Sequence, residues 1–198
     1  MPPITILDYG MGNLRSIANA LASLGCEYRI SSTLIGAEKL ILPGVGAFGA
    51  AMQRLAPMAD DVRAFARSGQ PLLGVCLGQQ LLFERSQEFG EHAGLGLLGG
   101  EVKFFPDLGQ LKVPHVGWNS LEKTQSDGLL SGVQTDGQVY FVHSLVCEPS
   151  DPGVVAAKTT YGVPFAAAIQ SGTIWAAQFH PEKSGPVGLG ILQNFVSC

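Results

Sequence analysis

A buried strand that runs into two closely spaced glycines around a cysteine constrains this chain more than any other feature. Residues 71–75 are largely apolar, and Gly74-Val75-Cys76-Leu77-Gly78 leads from them into a segment of helical character. Small residues on both sides of a nucleophile let the chain turn sharply at the end of a strand, as in the Gly-x-Ser-x-Gly nucleophile elbow. The first N–H groups of the following helix would favour a thiolate. We therefore predict that Cys76 is a nucleophile, with a buried structural cysteine as the alternative.

The composition indicates an enzyme that acts on small molecules. The 198 residues are 46% hydrophobic and 14% charged with a formal net charge of -4, which argues against disorder and against a basic nucleic-acid surface. We expect one domain over residues 1–198. The N-terminus lacks the features of a signal peptide and no apolar run reaches the length of a membrane helix, so we predict a cytoplasmic protein. The four cysteines show no C-x-x-C spacing, and we expect free thiols and no metal site.

Strands and helices alternate in the first part of the chain, which predicts a parallel sheet covered on both faces. The predicted strands are residues 4–9, 27–31, 39–42 and 72–75, and the helices between them contain Leu14 to Leu24 and Val62 to Ala66. After Gly94 the pattern becomes β-rich, with predicted strands at residues 101–105, 139–143, 154–159, 165–170 and 173–179. A closing helix carries Leu189 to Val196. The chain is thus predicted to form one α/β unit with an antiparallel extension.

A histidine and a carboxylate two residues apart supply the second candidate group. His180 and Glu182 follow a predicted strand, and in an extended segment residues i and i+2 project to the same side. The carboxylate can then orient the imidazole toward a nucleophile, as in a catalytic triad. A structural histidine is the alternative, and His92, His115 and His143 are competing bases, but none of them has a carboxylate two residues beyond it.

The segment Leu42 to Gly49 contains the pattern G-x-G-x-x-G between a predicted strand and a helix. A dinucleotide site would need an acidic residue about 20 positions later at the end of a strand, and counting from Gly44 leads into an apparent helix. A Pro-Gly-x-Gly turn can instead present a backbone N–H to an oxyanion. We predict that the amide of Val45, between Gly44 and Gly46, is one oxyanion donor and that the amide of Leu77 is the other.

With these residues in place, the chain resembles the class I, triad-type glutamine amidotransferases. The segments Gly74 to Gln80 and His180 to Glu182 carry that resemblance, and within the class the chain is similar to the glutaminase subunits of imidazole glycerol phosphate synthase. The narrower match rests on residues 8–13, 43–48, 114–119, 140–144 and 180–184. One departure is Gln79, where other members often carry His or Met. The resemblance implies a doubly wound, three-layer, flavodoxin-like sandwich.

The resemblance also implies an activity, a substrate and a partner. Cys76 would form a γ-glutamyl thioester with L-glutamine, without a cofactor, and the ammonia would pass to a (β/α)8-barrel cyclase subunit that makes imidazole glycerol phosphate and aminoimidazole carboxamide ribotide. The residues that match glutamine-binding positions are Gly44, Gly46, Gln80, Glu88, Ser144 and Leu145. The residues that match cyclase-facing positions are Asn13, Trp118, Tyr140 and Lys183. A glutaminase of another pathway, a stand-alone cysteine amidase, a non-enzymatic regulatory module and a nucleotide-binding protein are the alternatives.

Overall fold

The computed structural model describes residues 3–134 and 136–198. Three residues lie outside the described ranges: Met1, Pro2 and Thr135. Met1 and Pro2 belong to the N-terminal segment for which no signal peptide was predicted. The helices are α1 (Leu14–Ser23), α2 (Phe48–Leu55), α3 (Ala59–Arg67), α4 (Leu77–Leu81) and α5 (Gly185–Ser197). The strands are β1 (Ile4–Leu7), β2 (Tyr28–Ser31), β3 (Leu40–Leu42), β4 (Leu72–Val75), β5 (Phe83–Ser86), β6 (His92–Ala93), β7 (Leu98–Phe104), β8 (His115–Ser120), β9 (Glu122–Lys123), β10 (Gln138–His143), β11 (Leu145–Pro149), β12 (Val155–Tyr161), β13 (Val163–Ser171) and β14 (Ile174–Ala177).

An eight-stranded sheet with the order β2-β1-β3-β4-β14-β13-β12-β9 forms the centre of the molecule. Its first five strands are parallel, and the remaining pairings are antiparallel. The predicted parallel sheet with an antiparallel extension is therefore confirmed. The pairing of β4 with β14 places Val75 beside Ala177, so the chain segments that carry Cys76 and His180 leave the same edge of the sheet.

Both faces of the sheet are covered by other elements. Successive residues of the central strands project to opposite sides, so each strand contributes side chains to both buried faces. Ile41 and Leu73 pack on one side with α1, α5 and β10, whereas Leu40 and Leu72 pack on the other with α2, α3, β7 and β11. This arrangement gives the expected doubly wound, three-layer α/β sandwich. No helix among residues 3–134 and 136–198 has the length and apolar character needed to cross a membrane.

The sequence patterns missed several strands outside the main sheet. β8 pairs antiparallel with β10 in a two-stranded ribbon, and β11, β7, β5 and β6 form a four-stranded sheet. No strand was predicted at β8, which contains Gly117 and Asn119, two residue types that are uncommon in strands. The predicted extension of the last strand to Phe179 is also wrong, because β14 ends at Ala177.

Candidate active site

The turn between β4 and α4 holds Cys76 in an uncommon backbone conformation. Its φ is 55° and its ψ is -111°, a region that L-residues occupy rarely and usually at functional sites. A Cβ on Gly78 would lie 1.9 Å from the carbonyl oxygen of Leu42, and one on Gly74 would lie 2.8 Å from the carbonyl oxygen of Gly78. The two glycines are thus required by close backbone contact, and the sharp turn has the geometry expected of a nucleophile elbow.

His180 and Glu182 form a buried hydrogen-bonded pair near the cysteine. Nδ1 of His180 donates to Oε1 of Glu182 at 2.8 Å, and both side chains are almost completely buried. This bond fixes the tautomer that leaves Nε2 free to exchange a proton, and Nε2 makes no hydrogen bond within the described residues. Burial alone would lower the pKa of His180, but the interactions with Cys76 and Glu182 raise it to about 9.

The local structure that joins this pair differs from the prediction. An extended segment was expected through residues 180–182, but Pro181–Lys183 forms a 3₁₀ turn directly after the extended His180. Proline at the first position of the turn fixes φ in the helical range, so the chain curls back after His180. The predicted contact between the imidazole and the carboxylate is present, but the reason given for it was wrong.

Two other groups lie next to the sulfur of Cys76. Nε2 of Gln178 donates to Sγ at 3.8 Å, and Sγ lies 3.9 Å from the carbonyl oxygen of Val142. Gln80, predicted to bind glutamine, donates from Nε2 to Oε1 of Gln178 at 2.9 Å. Sequence reasoning assigned no role to Gln178, and its position two residues before His180 was the signal that could have drawn attention to it.

The predicted oxyanion turn lies against the elbow. Gly44 is so close to it that a Cβ there would lie 2.9 Å from Cβ of Leu77, and the hydroxyl of Tyr9 donates to the carbonyl of Pro43 at 2.8 Å. The N–H of Val45 donates no hydrogen bond within residues 3–134 and 136–198. The N–H of Leu77 begins α4 and has no acceptor within that helix. Neither predicted donor is therefore committed to another acceptor within the described residues.

A cavity of about 380 Å³ opens over Cys76 and gathers most of the predicted substrate residues. Its lining includes Val45, Gly46, Cys76, Leu77, Gln80, Glu88, Val142, Ser144, Leu145, His180 and Lys183. Gly44 does not line it and instead lies against Tyr9 and Leu77. The buried carboxylate of Glu88 accepts a hydrogen bond from the N–H of Phe48, the first residue of α2, where the helix dipole stabilises a negative charge. The cavity thus places a carboxylate and a nucleophile within one site.

The competing histidines have other partners. Nδ1 of His143 donates to the carbonyl of Leu145 at 2.7 Å, so its Nε2 accepts from Nδ1 of His115 at 3.1 Å. Burial lowers the pKa of His143 to about 4 and also lowers the pKa of His115. His92 packs against Gly49, outside the lining of the cavity. His115 and His143 are therefore a neutral pair that supports the bend at residues 143–145.

A family model described as glutamine amidotransferase class-I matches residues 5–198. The chain belongs to the class-I glutamine amidotransferase family. The imidazole glycerol phosphate synthase subunit HisH of Rhodopirellula baltica is 47% identical over 200 residues, which cover 98% of this chain and 97% of that subunit. The subunit HisH of Geobacillus kaustophilus is 48% identical, with coverage of 98% and 95%. A chain in the structure of PurLQS from Thermotoga maritima has a TM-score of 0.76 at 21% identity over 100% of this chain and 99% of that chain, and shows the same fold.

This glutamine amidotransferase exposes an apolar surface beside the cavity. Val116 and Trp118 of β8 lie opposite Val142 and Tyr140 of β10, so the four side chains share one face of the ribbon, hereafter the ribbon face. Trp118 is 55% exposed and Val116 56%, and the Trp118 and Tyr140 rings lie 6.0 Å apart. The ammonium group of Lys183 lies 5.9 Å from the centre of the Tyr140 ring.

The structure brings Trp118, Tyr140 and Lys183 together, whereas Asn13 has a structural contact of its own. Oδ1 of Asn13 accepts from the N–H of Ser16 at 3.3 Å and so caps the N-terminus of α1. Ser184 links the ribbon to His180, and sequence reasoning gave Ser184 no role. Its hydroxyl donates to the carbonyl of His180 at 2.6 Å and accepts from the N–H of Tyr140 at 3.0 Å.

Proposed function

We propose that this chain hydrolyses glutamine with Cys76 as nucleophile, His180 as general acid and base, and Glu182 as the group that orients the histidine. The chain is a glutaminase subunit of imidazole glycerol phosphate synthase, as its identity of nearly half to HisH subunits along almost its full length supports. The observation that carries the mechanism is the elbow conformation of Cys76 beside the buried His180 and Glu182 pair in one cavity. We place these residues in one amidotransferase domain, residues 1–198, that acts in the cytoplasm.

The first half-reaction transfers the γ-glutamyl group to the sulfur. The Cys76 proton passes to Nε2 of His180, and the thiolate attacks the side-chain amide carbon of glutamine. The resulting oxyanion would accept hydrogen bonds from the N–H groups of Val45 and Leu77. His180 then protonates the leaving nitrogen, the C–N bond breaks, and ammonia departs from a thioester. The raised pKa of His180, about 9, keeps the imidazolium populated at neutral pH for this step.

The second half-reaction releases glutamate. Neutral His180 accepts a proton from water as the water oxygen attacks the thioester carbon, and the C–S bond breaks to return the Cys76 thiol. Glutamine and water are thereby converted to glutamate and ammonia. Glu182 orients His180 and stabilises the imidazolium each time it forms, which is the established role of the carboxylate in a triad.

Substrate binding would use the other groups that line the cavity. The carboxylate of Glu88 is a suitable partner for the α-ammonium group of glutamine. The backbone at Ser144 and Leu145, held by His143, would contact the rest of the substrate. The Nε2 of Gln80 is bound to Gln178, so its contribution would come from its carbonyl oxygen.

The ribbon face supports a protein partner at the mouth of the cavity. A contiguous apolar surface on a folded chain commonly marks an interaction site. Val142 lies both on this face and in the cavity lining, so a subunit docked there would cover the place where ammonia forms. Free ammonia in water is largely converted to ammonium, which is not nucleophilic, and direct transfer to a cyclase subunit avoids that loss. Lys183 and Ser184 connect the same face to His180.

We further propose that the oxyanion turn is a control point. Gly44 and Gly46 flank Val45, and because glycine tolerates both signs of φ, the turn that carries the Val45 N–H can reorient at low cost. In the resting chain this N–H would point away from the oxyanion position. It would turn toward that position when a cyclase subunit carrying its nucleotide ligand, hereafter the loaded cyclase, binds. This arrangement would prevent wasteful hydrolysis.

Glutamine hydrolysis by the chain alone, and with a cyclase subunit and its nucleotide ligand, tests the proposal. We expect strong stimulation by the loaded partner. Equal turnover in both conditions would favour a stand-alone cysteine amidase and remove the control argument. Stimulation by the partner of a different amidotransferase, but not by the cyclase, would point to another pathway.

A further inference from the structure

The pairing of β14 with β4 places a buried amide beside the nucleophile. Ala177 lies opposite Val75, and the N–H of Cys76 donates to the carbonyl of Ala177 at 2.8 Å. Gln178 directly follows β14 and Cys76 directly follows β4, so the two residues are neighbours across the sheet. Gln178 is completely buried. Its backbone N–H is held by the carbonyl of Ala167 at 2.9 Å. The Gln178 side chain therefore starts from a fixed position level with the sulfur.

The direction of the Gln178 amide is set by its neighbour on α4. Gln80 donates from Nε2 to Oε1 of Gln178 at 2.9 Å. With its oxygen committed to this bond, Gln178 presents its NH₂ group to Sγ of Cys76 at 3.8 Å. Reversal of the Gln178 amide alone would place its oxygen toward the sulfur and leave two NH₂ groups facing each other, so the two amides are oriented together.

The two neighbours of the sulfur respond in opposite ways to its ionisation. A Cys76 thiol can donate to the carbonyl of Val142, 3.9 Å away, and a thiolate loses that interaction. The Gln178 N–H is a donor in both states, and its bond to sulfur becomes stronger when the sulfur carries the charge. Gln178 thus favours the reactive form.

We propose that Gln178 is a further catalytic residue, which stabilises the Cys76 thiolate by a hydrogen bond and is held in its productive orientation by Gln80. The inference rests on the proposed function only in taking Cys76 as the nucleophile. It adds a donor to the nucleophile that is separate from His180 and from the oxyanion amides.

The test is the pH dependence of alkylation of Cys76 by iodoacetamide, followed on the Cys76 peptide by mass spectrometry in the full-length chain. Gln178→Met keeps the size of the side chain and removes the donor. We expect the midpoint of its alkylation profile to rise by about one pH unit, the shift that corresponds to a tenfold loss in thiolate stability. Glutamine turnover with the loaded cyclase should fall about tenfold at neutral pH.

Gln79→Met is the matched control. Gln79 is also completely buried and next to Gln80. Its Nε2 donates to the carbonyl of Ala166 at 3.4 Å, and within the described residues it does not donate to the Cys76 sulfur. We expect its alkylation profile to match that of the unmodified chain. An unchanged profile in Gln178→Met, or equal shifts in both variants, would overturn the inference.

Two additional measurements separate the remaining explanations. If Gln178→Met does not fold, Gln80→Met replaces it, and a smaller shift in the same direction supports the inference while no shift overturns it. A second result would be that the unmodified chain fails to hydrolyse glutamine with the cyclase while Gln178→Met still shows the expected rise in the alkylation midpoint. That result would refute the proposed function and leave the inference standing.

Discussion

Gly78→Ala tests whether the close approach of the elbow to the oxyanion turn is needed for catalysis. The added Cβ would lie 1.9 Å from the carbonyl oxygen of Leu42 and 2.9 Å from its carbonyl carbon, both backbone atoms. The end of β3 and the elbow must separate by roughly 1 Å to reach 3.0 Å, and Leu42 leads directly into the turn that carries Val45. A displacement of about 1 Å at a catalytic site can cost on the order of 100-fold in rate. We expect that loss in kcat, and a free energy of unfolding lower by about 1–3 kcal/mol.

Glutamine hydrolysis with the loaded cyclase and urea unfolding measure these two effects. Gly190→Ala is the matched control, since Gly190 lies in the middle of α5 and a Cβ there meets no atom within 4 Å. It should raise the free energy of unfolding by about 0.5–1 kcal/mol, because alanine is the better helix former, and leave kcat unchanged. A Gly78→Ala enzyme with kcat within threefold of the unmodified chain would refute the reasoning.

Two further predictions concern buried charges. At the end of α5, Nζ of Lys39 donates to the carbonyls of Val196 and Cys198, each at 2.5 Å. Lys39→Met removes both bonds, so it should lower the free energy of unfolding, measured in urea, by about 2 kcal/mol. Glutamine hydrolysis should be unchanged. Retained stability would show that water replaces the lysine. For His180 the folded pKa is about 9, above the usual 6.5, so the folded chain binds more protons between these values and its stability should fall as pH rises through that window. His180→Gln should flatten this slope in urea titrations at pH 6 to 10, and an unchanged slope would contradict the assignment.

Local patterns were sufficient for the parallel half of the fold and for choosing the three residues of the proposed triad, Cys76, His180 and Glu182. β4 was predicted with its observed bounds because a short apolar run ends in two glycines, and Gly78 is required by direct backbone contact. Gly25 follows the C-cap of α1 with a φ of 70°, a conformation that favours glycine at the end of a helix. These features depend on residues that lie close together in the sequence.

What could not be predicted depends on long-range pairing. The position of Gln178 two residues before His180 places it near the site, but its contact with Cys76, 102 residues away in the sequence, follows only from the register of β14 on β4. The ribbon depends on β10 in the same way, because β8 contains Gly117 and Asn119 and has little strand character of its own. Glu182 was assigned to an extended segment, whereas Pro181 starts a 3₁₀ turn that brings the same carboxylate to His180.

The most direct test of the account compares two nitrogen sources for the complex of this chain with its cyclase. Cys76→Ala should abolish synthesis of imidazole glycerol phosphate from glutamine, because no other side chain in the cavity can form the thioester. Synthesis from added ammonium salts should remain within twofold of the unmodified complex, because the cyclase does not need the cysteine. Glutamine-dependent synthesis that survives the substitution, or the loss of both activities together, would contradict the assignment of Cys76 as the nucleophile.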